Sequence, residues 1–464
     1  MRPNIIFFLI DGLRADQCYG KDKTSVTPNL DGLIQKGMYF TNAYSSVDGT
    51  ILSLKTILHS LYPIKIGNRS KLTLQKNNLF DILTKNNYEV NGLVPDLKGF
   101  SEYVNCFQNT ETTYTYLDYM GKMNEFLLNT SSAITEKITD FLKSGTGKAP
   151  WFYYIHLMTL HPLKEYFASH KNEKNLLYHG IEDFNNEKYG AGLYERTVSF
   201  IDYQIGKILE NINLDNTILI LTSDHGQSVP YEGYSEVDFQ PKLENTVSIG
   251  KKILPKSAHN MGGKFLYNIR KSVGKRKLEK SNKTLTNYEK RSRDPYFTLS
   301  LFDELIHVPL IFVGNSIEQR IITKQARNVD VAATIYEFLD ITENSKKTGK
   351  SLLTLADENA EERFQYLHTM PYQKLSSSDM VGLRTDEYKY FRFARNPNEN
   401  VHLYNLKDDP YENENIAKKN KELILQFEEK ISEFEKNDLS DEEDDISEEE
   451  KKRISSELKR LGYM

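Results

Sequence analysis

Asp11 and the triplet Asp224-His225-Gly226 are the residues whose types could act together. Each follows an apolar run: the stretch from Asn4 to Ile10 ends at Asp11-Gly12, and that from Thr217 to Thr222 ends just before Asp224. Two carboxylates and an imidazole form a donor set suited to Mn, Zn or Mg rather than to a soft metal. A divalent ion held there would lower the pKa of a bound hydroxyl or water. The plainer alternative is a carboxylate capping a helix with its histidine hydrogen-bonded nearby. The pair alone leaves both readings open.

Elements that bring these residues together can be read from periodicity. Asn4 to Ile10 is a short continuous apolar run, as expected of a parallel strand buried on both faces. Further core strands are expected at Tyr88 to Val94, Trp151 to His156, Thr217 to Thr222 and Val308 to Val313. Helical stretches separate them, at Ser131 to Leu142, Lys188 to Asn211 and Val329 to Leu339. Another helix opens at Thr27-Pro28, with Pro28 in its first turn and Gly37 after its last. Strands alternating with helices predict an α/β fold, a mostly parallel sheet covered on both faces. Ligands in such sheets sit outside the carboxyl ends of the strands, where Asp11 and Asp224 both stand.

The chain has 464 residues, 60 Lys+Arg against 65 Asp+Glu, and 39% hydrophobic residues. This is ample for a sizeable core, and the near-balanced charge excludes a polybasic nucleic-acid binder. Two cysteines exclude a disulfide scaffold. The first apolar stretch is far shorter than the roughly 18 residues of a membrane span and lacks a small-residue cleavage site, so the expected location is cytoplasmic. The texture changes near residue 360. Met380 to Phe393 and Asn400 to Leu406 read as paired strands, followed by a charged helix from Tyr411 to about Lys436. The division expected is a catalytic domain at 1–360 and a smaller α+β subdomain at 361–464. A basic insertion occupies about 237–294, and Lys251 to Arg293 holds about fourteen basic residues against two Glu. The acidic stretch from Asp438 to Glu450 is expected to be a solvated linker or exposed helix start.

Several segments resemble sulfatases and related members of the alkaline phosphatase superfamily. They include Asn4 to Asp16, Thr27-Pro-Asn-Leu-Asp31, Phe40-Thr-Asn-Ala-Tyr44 and Leu221-Thr-Ser-Asp224-His225-Gly226. The resemblance resumes at Phe302-Asp-Glu304, Val308 to Ile311, Asp330 to Thr334, Val381 to Thr385 and Leu458 to Tyr463, in family order over nearly the whole chain. It implies an alkaline-phosphatase-like fold. The departure is at the nucleophile. Family sulfatases carry Cys-x-Pro-x-Arg, or Ser in place of Cys, whose first residue is oxidised to formylglycine. The equivalent stretch here is Thr50-Ile51-Leu52-Ser53-Leu54, and neither Cys18 nor Cys106 falls at the position. Threonine does not form that aldehyde. The resemblance therefore points to relatives with a threonine nucleophile, such as lipoteichoic-acid synthase, the phosphoethanolamine transferases and the nucleotide pyrophosphatase/phosphodiesterases. A metal-bound hydroxyl at the start of the helix following Thr50 would meet free backbone N–H groups and the positive end of the helix dipole.

In that register Asp11, Thr50, Asp224 and His225 are the expected ligands of one divalent ion, Zn or Mn, with Ca or Mg as alternatives. Gly12 stands where many sulfatases have a second Asp. His161, in Leu160-His161-Pro162, matches the histidine that faces the substrate and is assigned to binding the transferred group or protonating the leaving oxygen. Lys98 and His259 are the candidates for further positive charge at the substrate, and His156 is expected to be a core histidine with a satisfied hydrogen bond. His307 is expected to be structural.

The function expected is hydrolysis or transfer of a phosphate (di)ester through a covalent Thr50 intermediate. Two alternatives stand beside it: a sulfuric ester hydrolase acting on a sulfated glycan, and a pseudoenzyme that binds anionic glycans. The expected partner is an anionic ester, glycan- or lipid-linked, with no nucleic acid. The basic insertion would act as a lid attracting that anion, dock peripherally on an anionic membrane, or remain a solvated loop.

Overall fold

The computed structural model describes residues 2–62, 76–97, 100, 104–114, 118–119, 126–128, 132–144, 150–161, 163, 176–178, 182–229, 282–292, 300–343, 345, 347–357, 359–370 and 377–437. Met1–Ser228 and Thr298–Met464 make one compact unit, and Val229–Phe297 makes a second. Within the second, Asn282–Thr284 and Asn287–Ser292 are short helices. Lys98, His259, most of the basic insertion and the acidic stretch after Asn437 lie outside the described residues.

An eight-stranded sheet forms the centre of the first unit. In spatial order its strands are Arg320–Ile322, Met38–Phe40, Leu310–Val313, Thr217–Thr222, Asn4–Ile10, Trp151–Leu157, Glu89–Pro95 and Thr113–Tyr114. Asn4–Ile10 is parallel to both of its neighbours, with Leu9 level with Thr222 on one side and His156 on the other. Leu310–Val313 runs antiparallel between Thr217–Thr222 and Met38–Phe40, so the sheet is mixed but mostly parallel. Ile5, Phe7 and Leu9 pack into the core that includes the helices Thr50–His59, Leu79–Lys85 and Val331–Phe338. Ile6, Phe8 and Ile10 are equally buried and point the other way, because successive side chains of a strand alternate. The helices Pro28–Lys36 and Leu193–Leu209 pack against each other outside the first core cluster. A strand buried on both faces needs apolar residues at every position, which is why this one reads as a continuous run.

The helix expected from Lys188 begins at Leu193, and two further departures from sequence expectation have a local cause. The run from Val308 to Val313 is divided at Pro309, which has no N–H to give a ladder. His307–Val308 pairs with Ala43–Tyr44 in a small sheet, and Leu310–Val313 alone joins the large one. The charged helix begins at Lys421, ten residues later than expected. Before it, Asn415 Oδ1 accepts from the N–H of Leu403 and of Ala417, holding this stretch in a turn along the neighbouring strand instead of a helix.

The C-terminal strands Gln365–His368, Met380–Arg384, Tyr388–Phe393 and His402–Asn405 form a separate antiparallel sheet. Phe427 and Ile431 of the Lys421–Asn437 helix cover Leu383, Tyr390 and Leu403 on its face. A buried charge cluster ties this sheet to the segment leading to Thr50. Lys389 Nζ lies 2.7 Å from Asp303 and 2.8 Å from Glu412, Arg384 also pairs with Asp303, and the Arg384 guanidinium lies 3.4 Å from the centre of the Tyr44 ring.

Burial pushes the Glu412 carboxyl up to about 7, against the pull of Lys389, with the Asp303 and Glu304 charges adding to the rise. A carboxyl raised above its ordinary value of 4.5 holds a proton in the folded state that the unfolded state has released. Its contribution to stability is therefore full below about pH 4.5 and declines as pH rises through 7. Glu412→Gln removes this dependence. Relative to the parent, the variant is expected to gain on the order of 1–3 kcal/mol between pH 5 and pH 8, read from urea unfolding at each pH. An equal pH slope in both proteins would show that Glu412 stays ionised throughout.

Candidate active site

Three adjacent parallel strands deliver the site. Asp11 follows the central one, His156 stands near the carboxyl end of Trp151–Leu157, and Asp224 follows Thr217–Thr222. Ser223 ties two of these strand ends together. Its Oγ accepts the Leu13 N–H at 3.0 Å and lies 2.6 Å from the Ile10 carbonyl and 2.7 Å from that of His225. Asp224 Oδ1 accepts from the backbone N–H of Gly12 at 3.2 Å and of His225 at 3.0 Å.

Thr50 enters from above the sheet as the first residue of the fully buried Thr50–His59 helix. Its Oγ1 donates to Asp11 Oδ2 at 3.0 Å and lies 3.2 Å from His225 Nε2. His225 Nδ1 lies 2.6 Å from the Gly226 carbonyl. A carbonyl only accepts, so the proton of neutral His225 is on Nδ1 and Nε2 presents its lone pair to Thr50. One turn along the helix, Ser53 Oγ donates to the Asp224 carbonyl at 2.5 Å. Asn328 Nδ2 donates to both Ser45 and Ser53 at 3.2 Å, while its Oδ1 accepts from Ser46. These buried hydrogen bonds hold the helix start against the Asp224 loop.

The four expected ligands, Asp11, Thr50, Asp224 and His225, thus lie together. His161 is buried just beyond the end of its strand, close enough to Asp11 to act on its charge. His156 differs from its expectation. Neither of its ring nitrogens has a hydrogen-bond partner among the described residues, and Nε2 is 3.7 Å from Asp11 Oδ2. The expected satisfied core hydrogen bond is absent because the strand register points the ring at the carboxylates. His307, by contrast, has Nε2 2.8 Å from the Thr41 carbonyl and stacks on Tyr44.

Gly12 has φ +71°, and a Cβ built there would stand 2.7 Å from Gln227 Oε1. The space of a side chain at position 12 is occupied by the Gln227 amide, and among the described residues two carboxylates, Asp11 and Asp224, meet at the site. Behind it, Tyr194 OH donates to the Gly12 carbonyl at 2.6 Å and accepts the Arg14 N–H at 2.9 Å. The Arg14 guanidinium is engaged by Asp16. Gln227, Ser53 and Asn328 carry no sequence signal of these roles, because polar residues of their types are common at loops and helix starts.

Two buried carboxylates side by side are costly unless a cation neutralises them. Asp11 Oδ1 and Asp224 Oδ2 have no hydrogen-bond partner among the described residues, and donor atoms of Asp11, His156 and Asp224 lie within 4.8 Å of one another. Burial and the Asp11 charge push the Asp224 carboxyl up. At Asp11 burial acts in the same direction but is outweighed by His156, His161 and His225, which hold its carboxyl below the usual range. Orphaned oxygens, a lone-pair nitrogen and this charge imbalance fit a divalent cation.

The family model Sulfatase matches residues 3–341, and that of N-sulphoglucosamine sulphohydrolase, C-terminal, matches residues 296–437. An arylsulfatase of Clostridium perfringens is 25% identical over 329 residues, covering 52% of this chain and 68% of that protein. An N-acetylgalactosamine-6-O-sulfatase of Bacteroides thetaiotaomicron is 24% identical over 316 residues, covering 52% of this chain and 61% of the relative. Among solved structures, the phosphonate monoester hydrolase of Agrobacterium radiobacter superposes with a TM-score of 0.61 at 15% identity, covering 94% of this chain and 96% of that one. That likeness, at such low identity, concerns the fold, which solved sulfatases share as well. With its family model spanning most of the 464 residues and its strand ends arranged as described, the chain belongs to the sulfatase family.

Proposed function

We propose that the protein is a metal-dependent hydrolase of the sulfatase family that cleaves a sulfate ester on a glycan, using Thr50 as its nucleophile. The observation that carries the reading is the buried contact of Thr50 Oγ1 with Asp11 and His225, beside Asp224. The glycan is inferred from the N-acetylgalactosamine-6-O-sulfatase relative. Asp11, Thr50, Asp224 and His225 would hold the divalent ion, which would polarise the ester oxygens and favour ionisation of the Thr50 hydroxyl.

Thr50 Oγ1 gives up its proton toward Asp11 and attacks sulfur, and the bond between sulfur and the sugar oxygen breaks. His161 protonates that leaving oxygen. A water then gives a proton to His161 and attacks sulfur, the bond between sulfur and Thr50 Oγ1 breaks, sulfate departs, and Thr50 regains its proton from Asp11. The first helical turn after Thr50 adds backbone N–H groups facing the developing negative charge.

Phosphoryl or phosphonyl ester cleavage is the second reading, and a specific observation favours it. A formylglycine hydrate can release its sulfate by elimination, whereas a threonyl ester must be cleaved by attack at sulfur or phosphorus. The sequence alone puts phosphate esters first. The names of the sequence relatives favour sulfate.

The test is turnover of nitrophenyl sulfate, sulfated N-acetylgalactosamine, and nitrophenyl mono- and diesters of phosphate and phosphonate by protein loaded in turn with Zn, Mn and Ca. Sulfate esters cleaved at least tenfold faster than phosphorus esters support the first reading, and the reverse order supports the second. Glycan binding without turnover of any ester would leave only a binding module.

A further inference from the structure

His156 belongs to no step of the reaction above, yet it is placed as a ligand would be. Its strand neighbours that of Asp11, its side chain is fully buried, and the ring is met edge-on by Phe100 at 5.3 Å. Both ring nitrogens lack a hydrogen-bond partner among the described residues. A buried imidazole unsatisfied at both nitrogens is unfavourable unless something beyond the polypeptide engages it. The distance of 3.7 Å from Nε2 to Asp11 Oδ2 is too long for a hydrogen bond.

That distance lies just above the separation expected of two ligands of one cation. With metal–ligand bonds of about 2.0–2.2 Å, neighbouring ligand atoms stand roughly 3.0–3.5 Å apart. The separations here run from 3.0 Å between Thr50 and Asp11, through 3.2 Å between Thr50 and His225, to 3.5 Å between His225 and Asp224 and 3.7 Å between Asp11 and His156. The donors form a connected chain, in which Asp11, His156 and Asp224 offer atoms that all lie within 4.8 Å of one another.

We propose that His156 is a metal ligand, completing with Asp11, Thr50, Asp224 and His225 a site of two imidazoles, two carboxylates and a hydroxyl for a first-row divalent ion such as zinc, cobalt or manganese. The inference rests on the metal-dependent reading of this site and deepens it. Position 12 supports the choice of ion. With Gly12 and the Gln227 amide where another carboxylate would project, the two acid groups match the charge of one dication. Two imidazoles shift the preference from calcium, which takes oxygen ligands, toward borderline first-row ions.

X-ray absorption of the zinc-loaded parent protein decides the point without a substitution. Scattering from two imidazoles is expected, and scattering from one overturns the role of His156. Two variants extend the test. His156→Ala removes the ligand, and His156→Leu also refills the apolar pocket beside Phe100. Each is expected to weaken zinc binding by at least about tenfold in competition with a chromophoric chelator, and to alter the visible spectrum of the cobalt form. Unchanged zinc affinity and an unchanged cobalt spectrum in a folded variant overturn the proposal, and would mean that a water engages the imidazole. A parent protein that takes up none of these ions overturns this inference and the metal-dependent reading together. Zinc held through a single imidazole overturns this inference alone.

Discussion

Replacing Thr50 by alanine is expected to lower kcat on the best ester substrate by about a hundredfold or more, the loss typical of a missing nucleophile. The side chain removed is the one that touches both Asp11 and His225, so the covalent route disappears while the other ligands stay in place. The fold should survive, because alanine is at least as favourable as threonine inside a helix and Thr50 is the first residue of a helix buried along its length. Thr50→Ser separates hydroxyl chemistry from packing. It keeps the oxygen and is expected to retain activity within about tenfold of the parent. A Thr50→Ala protein that turns over within threefold of the parent would remove the nucleophile from this position, leaving direct attack by water.

The second large effect is expected at Asp11. Its carboxylate is central to the donor cluster, accepting from Thr50 at 3.0 Å and lying 3.7 Å from His156. Asp11→Asn keeps the shape but removes the charge. Changing a residue that merely orients a metal ligand already costs about 10–100-fold in affinity, so losing a ligand charge should cost at least the upper end of that range. Stability should move in opposite senses with and without metal. In chelator-treated protein the variant relieves the crowding of two buried carboxylates and should melt no lower than the parent. Added zinc stabilises the parent by about 4 kcal/mol at a thousandfold excess over Kd, and the variant should gain much less at the same concentration. Calorimetric scans of both proteins, metal-free and with zinc, check this. A parent whose melting temperature ignores zinc would contradict a metal role for Asp11.

Both effects depend on how the strand ends meet, and only part of that was readable beforehand. The central strand was legible because burial on both faces demands an unbroken apolar run, and Asn4 to Ile10 supplies one. Asp11 and Asp224 stood out because a carboxylate ending such a run sits at the rim of the sheet, where ligands bind. Thr50 was legible only through family register. By itself it reads as an ordinary helix start. Asn415 shows the opposite limit, since its side chain engages a strand backbone distant from the expected helix and delays that helix to Lys421.

From its sequence alone, this protein is an α/β chain resembling sulfatases, with Thr50 at the position that the resemblance assigns to the nucleophile and carboxylates following two of its strands. Tertiary structure decided that the strands of Asp11 and Asp224 are neighbours, that the segment after Pro309 runs antiparallel, and that His156 faces the carboxylates. The physical reason is register. Alternation along one strand shows which residues share a face, but the neighbour opposite each residue depends on pairing between distant segments. His156, one residue within an apolar run, looks like core until the strand beside it places Asp11 next to its ring.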